Sequence, residues 1–375
     1  EPANKKVALV FSAYPTKHAR IGNAVGLDTP ASAVALLRAL RDAGYVIGDI
    51  PGVDAQDGDA LVHALIERGG QDPDWLTEGQ LTGNPIRVSA RDYRAWFATL
   101  PAELADAVNA VLRREGRSLA TYGLASGPQG YRPLREFLTT KLKCDAGIDC
   151  AADDILIVSG SQQALSLIGA LLINPGDHVL VEQPTYLGAL QAFATYQAEY
   201  VGVPTDEHGI CVDQLPAALR HGPKFMYILP NFQNPTGVTI SAERREQLIA
   251  LAHQQGVPLV EDDPYGQLRF EGEHLKPLVV ADAEQSGNNG PCYTGNVIYV
   301  STFSKTLAPG LRTAWIIAAP PVINKLVQLK QGADLHTSTF TQMVIYEAAK
   351  DGFIDEHVRK LRQVYRQRRD TMLAA

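Results

Sequence analysis

Short apolar runs rich in β-branched residues recur through the second half of the chain and alternate with segments whose apolar positions follow helical spacing. Ile155-Leu156-Ile157-Val158 predicts a buried strand and residues 162–172 a helix. His178-Val179-Leu180-Val181 predicts the next strand, followed by a helix near 187–196. Phe225-Met226-Tyr227-Ile228-Leu229 reads as a strand, and Ser241 is placed to cap a helix running to Gln255. Further strands are expected at 257–261, 297–301 and 313–318. Continuous apolar runs mean strands covered on both faces, and their alternation with helices means a mostly parallel sheet in an α/β layer. Such sheets bind ligands at the loops beyond the carboxyl ends of their strands. Near the end of the chain Ile354, Val358, Leu361, Tyr365 and Leu373 form one helical stripe.

The first part of the chain reads differently. Val7-Ala8-Leu9-Val10-Phe11 is strand-like and leads into a polar, glycine-containing loop. Thr29 before Pro30 is a good helix start, Ala33, Leu36, Leu37 and Leu40 recur at helical spacing, and Gly44 closes the helix. Tyr45-Val46-Ile47 is expected to restart a strand, giving a β-α-β opening as in a doubly wound layer. Residues 69–90 are polar and irregular, and Tyr93, Trp96, Phe97 and Leu100 resume helical spacing. Pro101 to Arg114 reads as one continuous helix.

The 375 residues are enough for two or three domains. The 34 Lys and Arg are outnumbered by 41 Asp and Glu, a net charge of −7. That excludes the basic footprint of a duplex-binding protein. No apolar stretch reaches the roughly 18 residues of a membrane span, and no secretory signal is visible before the first strand. Cys144, Cys150, Cys211 and Cys292 are widely spaced, with no CxxC pair and no histidine pair at metal-ligand spacing. A cytoplasmic protein with reduced thiols and no metal site is expected. The chain begins at Glu1 rather than Met, which is the expectation for a fragment.

Five motifs stand at the strand-to-helix junctions of the second block. Ser159-Gly160-Ser161-Gln162-Gln163 follows a strand and opens a helix. Free backbone N–H groups and a serine hydroxyl there suit a phosphate, although alone the segment is an ordinary helix cap. Pro184-Thr185-Tyr186 presents an aromatic ring from a rigid turn, which by itself is packing more often than a stacking platform. Pro230-Asn231-Phe232-Gln233-Asn234-Pro235-Thr236-Gly237 fixes its backbone with two prolines and a glycine, so Asn234 is presented with little entropy loss. Glu261-Asp262-Asp263-Pro264-Tyr265 puts acids at the end of an apolar strand, where a carboxylate is desolvated unless paired with a cation. Ser301-Thr302-Phe303-Ser304-Lys305, followed by Pro309-Gly310-Leu311-Arg312, sets an amine between hydroxyls and an arginine. That suits an imine-forming lysine beside a phosphate clamp, whereas a lone lysine is a solvated surface residue. In combination the motifs supply the partners pyridoxal phosphate requires: a lysine for its aldehyde and an acid against its pyridine nitrogen.

SGSQQAL, EQPTYLGAL, PNFQNPTG, EDDPY and STFSKTLAPGLR make residues 108–375 resemble the class I/II aminotransferases of pyridoxal-phosphate fold type I. The pattern is most similar to the subgroup of 2-aminoadipate, kynurenine and aromatic aminotransferases. The resemblance implies an α/β/α large domain on a mostly parallel seven-stranded sheet, with pyridoxal 5′-phosphate as cofactor. It implies that Lys305 forms the internal aldimine and shuttles the proton between Cα and C4′, and that Asp262 keeps the pyridine nitrogen protonated. Asn234 and Tyr265 would hydrogen-bond the ring oxygen, and Tyr186 would stack on the ring. Ser161, Gln162, Thr302, Ser304 and Arg312 would hold the phosphate. Tyr122, in TYGLASGPQGYRPLRE, would reach the phosphate of a neighbouring subunit, implying a homodimer. The implied reaction is ping-pong transfer of an amino group from an α-amino acid to a 2-oxo acid, with 2-oxoglutarate the usual acceptor in the family. The family's N-terminal arm and small C-terminal domain, which supplies the arginine for the substrate carboxylate, have no counterpart among these motifs. A related group of regulators fuses the fold to a basic DNA-binding domain. Here the first 107 residues hold ten Lys and Arg against fourteen Asp and Glu, and EDDPY fits the aminotransferases better.

KKVALVFSAYPTKHARIGNAVGLDTPASAVALLRALRDAGY and SARDYRAWFATLPAEL are similar instead to the large cobaltochelatase subunit of the CobN and magnesium-chelatase H type. That family inserts a metal into a corrin or porphyrin ring. No metal-ligand cluster stands in these residues, and His18 and His63 are read as surface or loop histidines. The expected organisation is a small flavodoxin-like α/β segment over 1–107 and an aminotransferase large domain over 108–375. The two resemblances meet inside the helix from Pro101 to Arg114, without the flexible linker that normally separates domains, as expected of a fused or chimeric chain. Two alternatives stay open here. One is a chelatase-related piece of corrin biosynthesis that binds a tetrapyrrole and needs partner subunits. The other is a chain that binds pyridoxal phosphate without turnover.

Overall fold

The structure, a computed structural model, describes residues 29–67, 90–100, 102–115, 127–287 and 292–374. The strand expected at 7–11, His18 and Tyr122 lie outside the described residues. The chain divides into two compact units, Glu1–Thr99 and Leu100–Ala375. Among the described residues no helix is long and apolar enough to cross a membrane.

In the first unit the described residues form three helices, α1 (Thr29–Asp42), α2 (Gly58–Glu67) and α3 (Ala90–Phe97). Helix α1 begins at the Thr29-Pro30 pair and closes at Gly44. The φ of +87° at Gly44 lets the Tyr45 N–H donate back to the Leu40 carbonyl at 3.0 Å, a left-handed closure that glycine makes without steric cost. Ala33 and Val34 pack with Leu61 of α2, whereas Leu36 is exposed. The strand expected at Tyr45-Val46-Ile47 is irregular, and Val46 is 85% exposed. The flavodoxin-like β-α-β opening is therefore not formed by the described residues, since a short apolar run makes a strand only beside a pairing neighbour. His63 is exposed on α2.

The second unit opens with α4 (Ala102–Glu115), α5 (Arg132–Ala146), β1 (Ile155–Val158) and α6 (Ser161–Leu172). There follow β2 (His178–Gln183), α7 (Leu187–Ala194), β3 (Glu199–Asp206), β4 (Gly209–Ile210), α8 (Leu215–Leu219), β5 (Met226–Ile228) and α9 (Ala242–Gln255). It ends with β6 (Leu259–Asp262), α10 (Leu278–Gln285), β7 (Val297–Thr302), α11 (Phe303–Thr306), β8 (Ala314–Ile317), α12 (Pro320–Ala333), α13 (Thr339–Ala349) and α14 (Phe353–Ala374). Helix α4 runs unbroken through residues 107 and 108 and packs Ala107 and Val111 with Met343, Val344 and Ala348 of α13.

The strands form one sheet in the order β1-β8-β7-β6-β5-β2-β3-β4. β7, β6, β5, β2 and β3 are parallel, β8 runs antiparallel to both of its neighbours, and β4 is a two-residue antiparallel return on β3. The sheet has eight strands where seven were expected. β3 escapes a periodicity reading because Gly202 and Pro204 interrupt it and its burial is patchy, as befits a strand near the sheet's margin. Alternate strand residues face opposite sides. Ile155, Ile157, Leu180, Met226, Ile228 and Leu259 form one core with α5, α9, α13 and α14. Leu156, Val158, Val181, Tyr227, Val260 and Val300 form the other with α6, α7 and α12. Of the stripe on α14, Ile354 and Val358 are buried, while Leu373 is 80% exposed and departs from the expected face.

Register decides where the functional loops meet. Ala314, the first residue of β8, pairs with Val158 at the end of β1 and with Thr302 at the end of β7. Asp262, at the end of β6, pairs with Val300. The ends of three strands and the loop entering β8 thus share one edge of the sheet, the edge at which such sheets bind ligands.

Candidate active site

A cavity of about 260 Å³ opens at this edge. Ten residues singled out in the sequence line it: Ser161, Gln162, Tyr186, Asn234, Asp262, Tyr265, Thr302, Ser304, Lys305 and Arg312. Leu229 and Pro264 complete the wall. Lys305 is exposed at its mouth on the short α11, its ammonium 5.9 Å from the centroid of the Tyr265 ring.

One end of the cavity is cationic and rich in donors. The turn after β1 passes through Gly160 at φ +88° and ψ 159°, a region open essentially to glycine alone. A Cβ at Gly160 would collide with Nη2 of Arg312, so the guanidinium occupies the space that the missing side chain leaves. Arg312 itself holds φ +46°, an uncommon conformation for a non-glycine residue and one that tends to mark functional loops. Ser161 Oγ is buried without a hydrogen-bond partner among the described residues. Gln162 Nε2 donates to the Gly188 carbonyl at 2.8 Å, tying the turn to the start of α7. Thr302 Oγ1 accepts the Ser304 N–H at 3.0 Å and donates to the Thr313 carbonyl at 3.2 Å. Thr302 thus caps α11 while its side chain lines the cavity.

Behind this end lies a network the sequence reading missed. Gln163 Oε1 accepts from the Ser159 N–H at 2.7 Å and from Lys330 Nζ at 2.8 Å. Lys330, fully buried on α12, also donates to both carboxylate oxygens of Asp334 at 2.7 and 2.8 Å. Only the four-residue spacing of Lys330 and Asp334, the residue that follows α12, pointed to this pair.

The other end is acidic, and the sheet decides which of three consecutive acids serves the cavity. Glu261 points to the opposite face, accepts the Leu278 and Val279 N–H groups at 2.9 and 2.8 Å, and so caps α10. Asp263 turns into the following loop, accepting from Asn231 Nδ2 at 3.0 Å and the Gly266 N–H at 2.9 Å. Asp262 faces the cavity. Its Oδ2 accepts from the Tyr227 hydroxyl at 2.8 Å, while its Oδ1 is buried with no partner among the described residues. Burial, countered by the Tyr227 bond and reinforced by Asp263, raises the Asp262 carboxyl to about 7. A buried carboxylate oxygen with an open valence is costly unless a donor meets it. Burial also raises the Tyr265 hydroxyl, which the Asn234 side chain, in hydrogen-bonding reach, lowers in part.

The loop carrying Asn234 is rigid for more reasons than its prolines. Gln233 Nε2 donates to the Pro184 carbonyl at 2.7 Å, and Gln233 Oε1 accepts from the Thr236 N–H and hydroxyl at 2.9 and 2.7 Å. The buried Arg245 of α9 grips both ends, donating to the Pro230 and Ile240 carbonyls at 2.8 and 3.0 Å. Tyr186 lies against Gly188, where a Cβ would come within 2.5 Å of the ring, so the glycine fixes where the aromatic face sits.

A family profile described as aminotransferase class I and II matches residues 95–375, three quarters of the chain. The chain belongs to the class I and II aminotransferases. A second profile, CobN/magnesium chelatase, matches residues 1–118, so the two overlap across α3 and α4. Aromatic-amino-acid aminotransferase 1 of Thermococcus litoralis is 42% identical over 284 residues, covering 74% of this chain and 65% of the relative. The 2-aminoadipate transaminase of Thermus thermophilus is 40% identical over 274 residues, covering 73% and 65%. The crystal structure of the α-aminoadipate aminotransferase of Thermus thermophilus, complexed with N-(5′-phosphopyridoxyl)-L-leucine, superposes with a TM-score of 0.65 at 40% identity, covering 72% of this chain and 66% of that one. The chain thus spans about two thirds of the length of the relatives it matches. The eight-stranded, mostly parallel sheet is the fold type I architecture of this family. Class I and II aminotransferases use pyridoxal 5′-phosphate. The cavity fits that group on its own evidence: an unpartnered acid oxygen at one end, a lysine between, and an unpartnered hydroxyl with an arginine at the other.

Proposed function

We propose that the chain transfers an amino group from an α-amino acid to a 2-oxo acid, 2-oxoglutarate among them, with pyridoxal 5′-phosphate as cofactor. The observation that carries this reading is the single cavity joining Lys305 to the open oxygen of Asp262 and the Ser161–Arg312 end. When bound, the cofactor supplies an aldehyde that takes up the substrate amine and a protonated ring that withdraws electrons from it.

The chain's own residues do the rest. Lys305 would hold the cofactor aldehyde and, once free, its amine would serve as the base and acid that moves the substrate's Cα proton. Asp262, with its open Oδ1, would hold the ring nitrogen protonated. Asn234 and Tyr265 would hydrogen-bond the ring oxygen, and Tyr186 would cover the ring face. Ser161, Gln162, Thr302, Ser304 and Arg312 would take the phosphate, with Thr302 also capping α11. By the resemblance, the partner subunit's Tyr122 would complete the phosphate site, and the active form would be a homodimer. We place it in the cytoplasm, where cysteines persist as thiols. In the same reading the aminotransferase domain runs from 108 and the chelatase-like segment to 107.

The test is visible absorbance of the purified chain with pyridoxal phosphate, then borohydride reduction and peptide mass mapping. Label on Lys305, lost in Lys305→Ala, together with bleaching of the band by an amino acid, is the expected result. Absence of both band and label refutes the reading. The match of residues 1–118 to the CobN/magnesium chelatase profile favours a second one, a chelatase-related fragment. That reading requires saturable quenching on titration with a tetrapyrrole and is overturned by its absence.

A further inference from the structure

We propose that Tyr227 is a positioning residue for Asp262: its hydrogen bond reserves Oδ1 for the cofactor and favours the ionised carboxyl, which would keep the proton on the cofactor's ring nitrogen. The inference rests on the pyridoxal-phosphate reading above and assigns a role to a residue that does not line the cavity.

The placement follows from register. Tyr227 of β5 stands opposite Val260 of β6. Alternate residues share a face, so Asp262 lies on the side of Tyr227, two residues along the neighbouring strand. That diagonal is spanned by an aromatic side chain, and the hydroxyl reaches Oδ2 at 2.8 Å. The ring cannot swing away. It is fully buried and packed edge-on to Phe193, centroids 5.7 Å apart at 78°.

The bond has a fixed polarity. The titratable groups around the pair are Glu182 of β2, Tyr186, Asp263, Tyr265 and Tyr299 of β7, with Lys305 and Arg312 in the cavity that Asp262 faces. Burial, with Asp262, Glu182 and Tyr186 nearby, pushes the Tyr227 hydroxyl well above its ordinary range, so it remains a donor. A donor to a carboxylate favours the charged form and opposes the burial that favours the acid. Removing it leaves Asp262 with burial and Asp263 alone, both of which favour a protonated carboxyl. Beside a protonated Asp262 the cofactor's ring nitrogen would carry no proton, and the ring would withdraw electrons less strongly. The Tyr227 hydroxyl thus selects between two proton positions from one strand away.

The experiment uses holoenzyme loaded with cofactor carrying 15N in the ring, comparing wild type, Tyr227→Phe and Asp262→Asn by NMR. Phenylalanine keeps the packing against Phe193 and removes only the hydroxyl. The wild-type resonance is expected at the protonated position and that of Tyr227→Phe moved towards the neutral position set by Asp262→Asn. The amino-acid half-reaction is expected to slow by about tenfold, the order of a lost bond to a charged group. A second readout needs no cofactor: the Asp262 carboxyl infrared band, assigned by difference against Asp262→Asn, titrates at higher pH in Tyr227→Phe. This measurement decides if that variant holds cofactor poorly. An unmoved 15N resonance, or an unmoved carboxyl titration, overturns the proposal while leaving the pyridoxal-phosphate reading intact. A wild-type chain that takes no cofactor on Lys305 overturns both.

Discussion

Replacing Gly160 with alanine tests the phosphate end of the cavity at its tightest point. The substitution has two effects of separable size. At φ +88° and ψ 159° an alanine backbone is strained whatever space surrounds it, by about 1–3 kcal/mol. The new methyl carbon would also collide with Nη2 and lie 2.9 Å from Cζ of Arg312. The guanidinium is the far end of a flexible side chain, so it moves and the backbone stays. A displacement of roughly 1 Å takes it out of hydrogen-bond range of a phosphate. Loss of one bond to a charged group, about 1.5–3 kcal/mol, weakens cofactor binding by roughly ten- to a hundredfold. Fluorescence titration with pyridoxal phosphate and with phosphate-free pyridoxal isolates the effect, because only the first carries the anion. The expected result is a large loss for pyridoxal phosphate and little change for pyridoxal. Equal losses for the two ligands, or none for either, would refute the assignment of this end to phosphate.

Glu182 is buried beneath the site, accepts the Leu229 N–H at 2.8 Å, and is raised by burial to about 8. A folded pKa above the unfolded one contributes stability that is present below about pH 4.5 and is lost as pH rises through 8. Glu182→Gln, scanned by thermal melting from pH 5 to 8, is expected to flatten that decline, and a slope equal to that of wild type would contradict the linkage. Lys330→Met removes the buried amine that joins Gln163 to the exposed Asp334, which keeps its bond from Gln163 Nε2. Losing bonds to a charged group that is only half enclosed costs about 1.5–3 kcal/mol, or roughly 5 °C in melting temperature, and Lys330→Met with Asp334→Leu should restore part of it. A single variant as stable as wild type would show that the pair does not hold the turn.

Much of this protein is legible in its sequence because the physics involved is local. Ile155-Leu156-Ile157-Val158 and Val297-Ile298-Tyr299-Val300 announce strands buried on both faces, since only a covered strand is apolar at every position. Ser241 and Gly44 mark helix ends through bonding made within a few residues. The motifs at strand ends were visible because rigid turns need particular residues, and their common edge followed from parallel pairing. The flanking helices α12 and α13 and the strand β3 were not read, because their burial depends on neighbours distant in sequence rather than on an uninterrupted apolar run. Tyr45-Val46-Ile47 shows the converse, a strand-like run that forms no strand without a partner beside it.

The inventory of the site belongs to the primary structure: a lysine, an acid, a phosphate turn, an amide and aromatic rings, each attached to a strand end. The assignment of those groups belongs to the fold. Glu261, Asp262 and Asp263 are chemically alike and adjacent, and the pleat alone sends one to a helix terminus, one to the cavity and one to a turn. Thr302 both lines the cavity and caps α11, a double placement that only the fold sets. Tyr227 and Lys330 gained roles because strand register and helix packing bring them to Asp262 and Gln163. Composition fixes which groups a chain has to offer, but a hydrogen bond between residues 35 or 167 positions apart exists only once the sheet has set the distance.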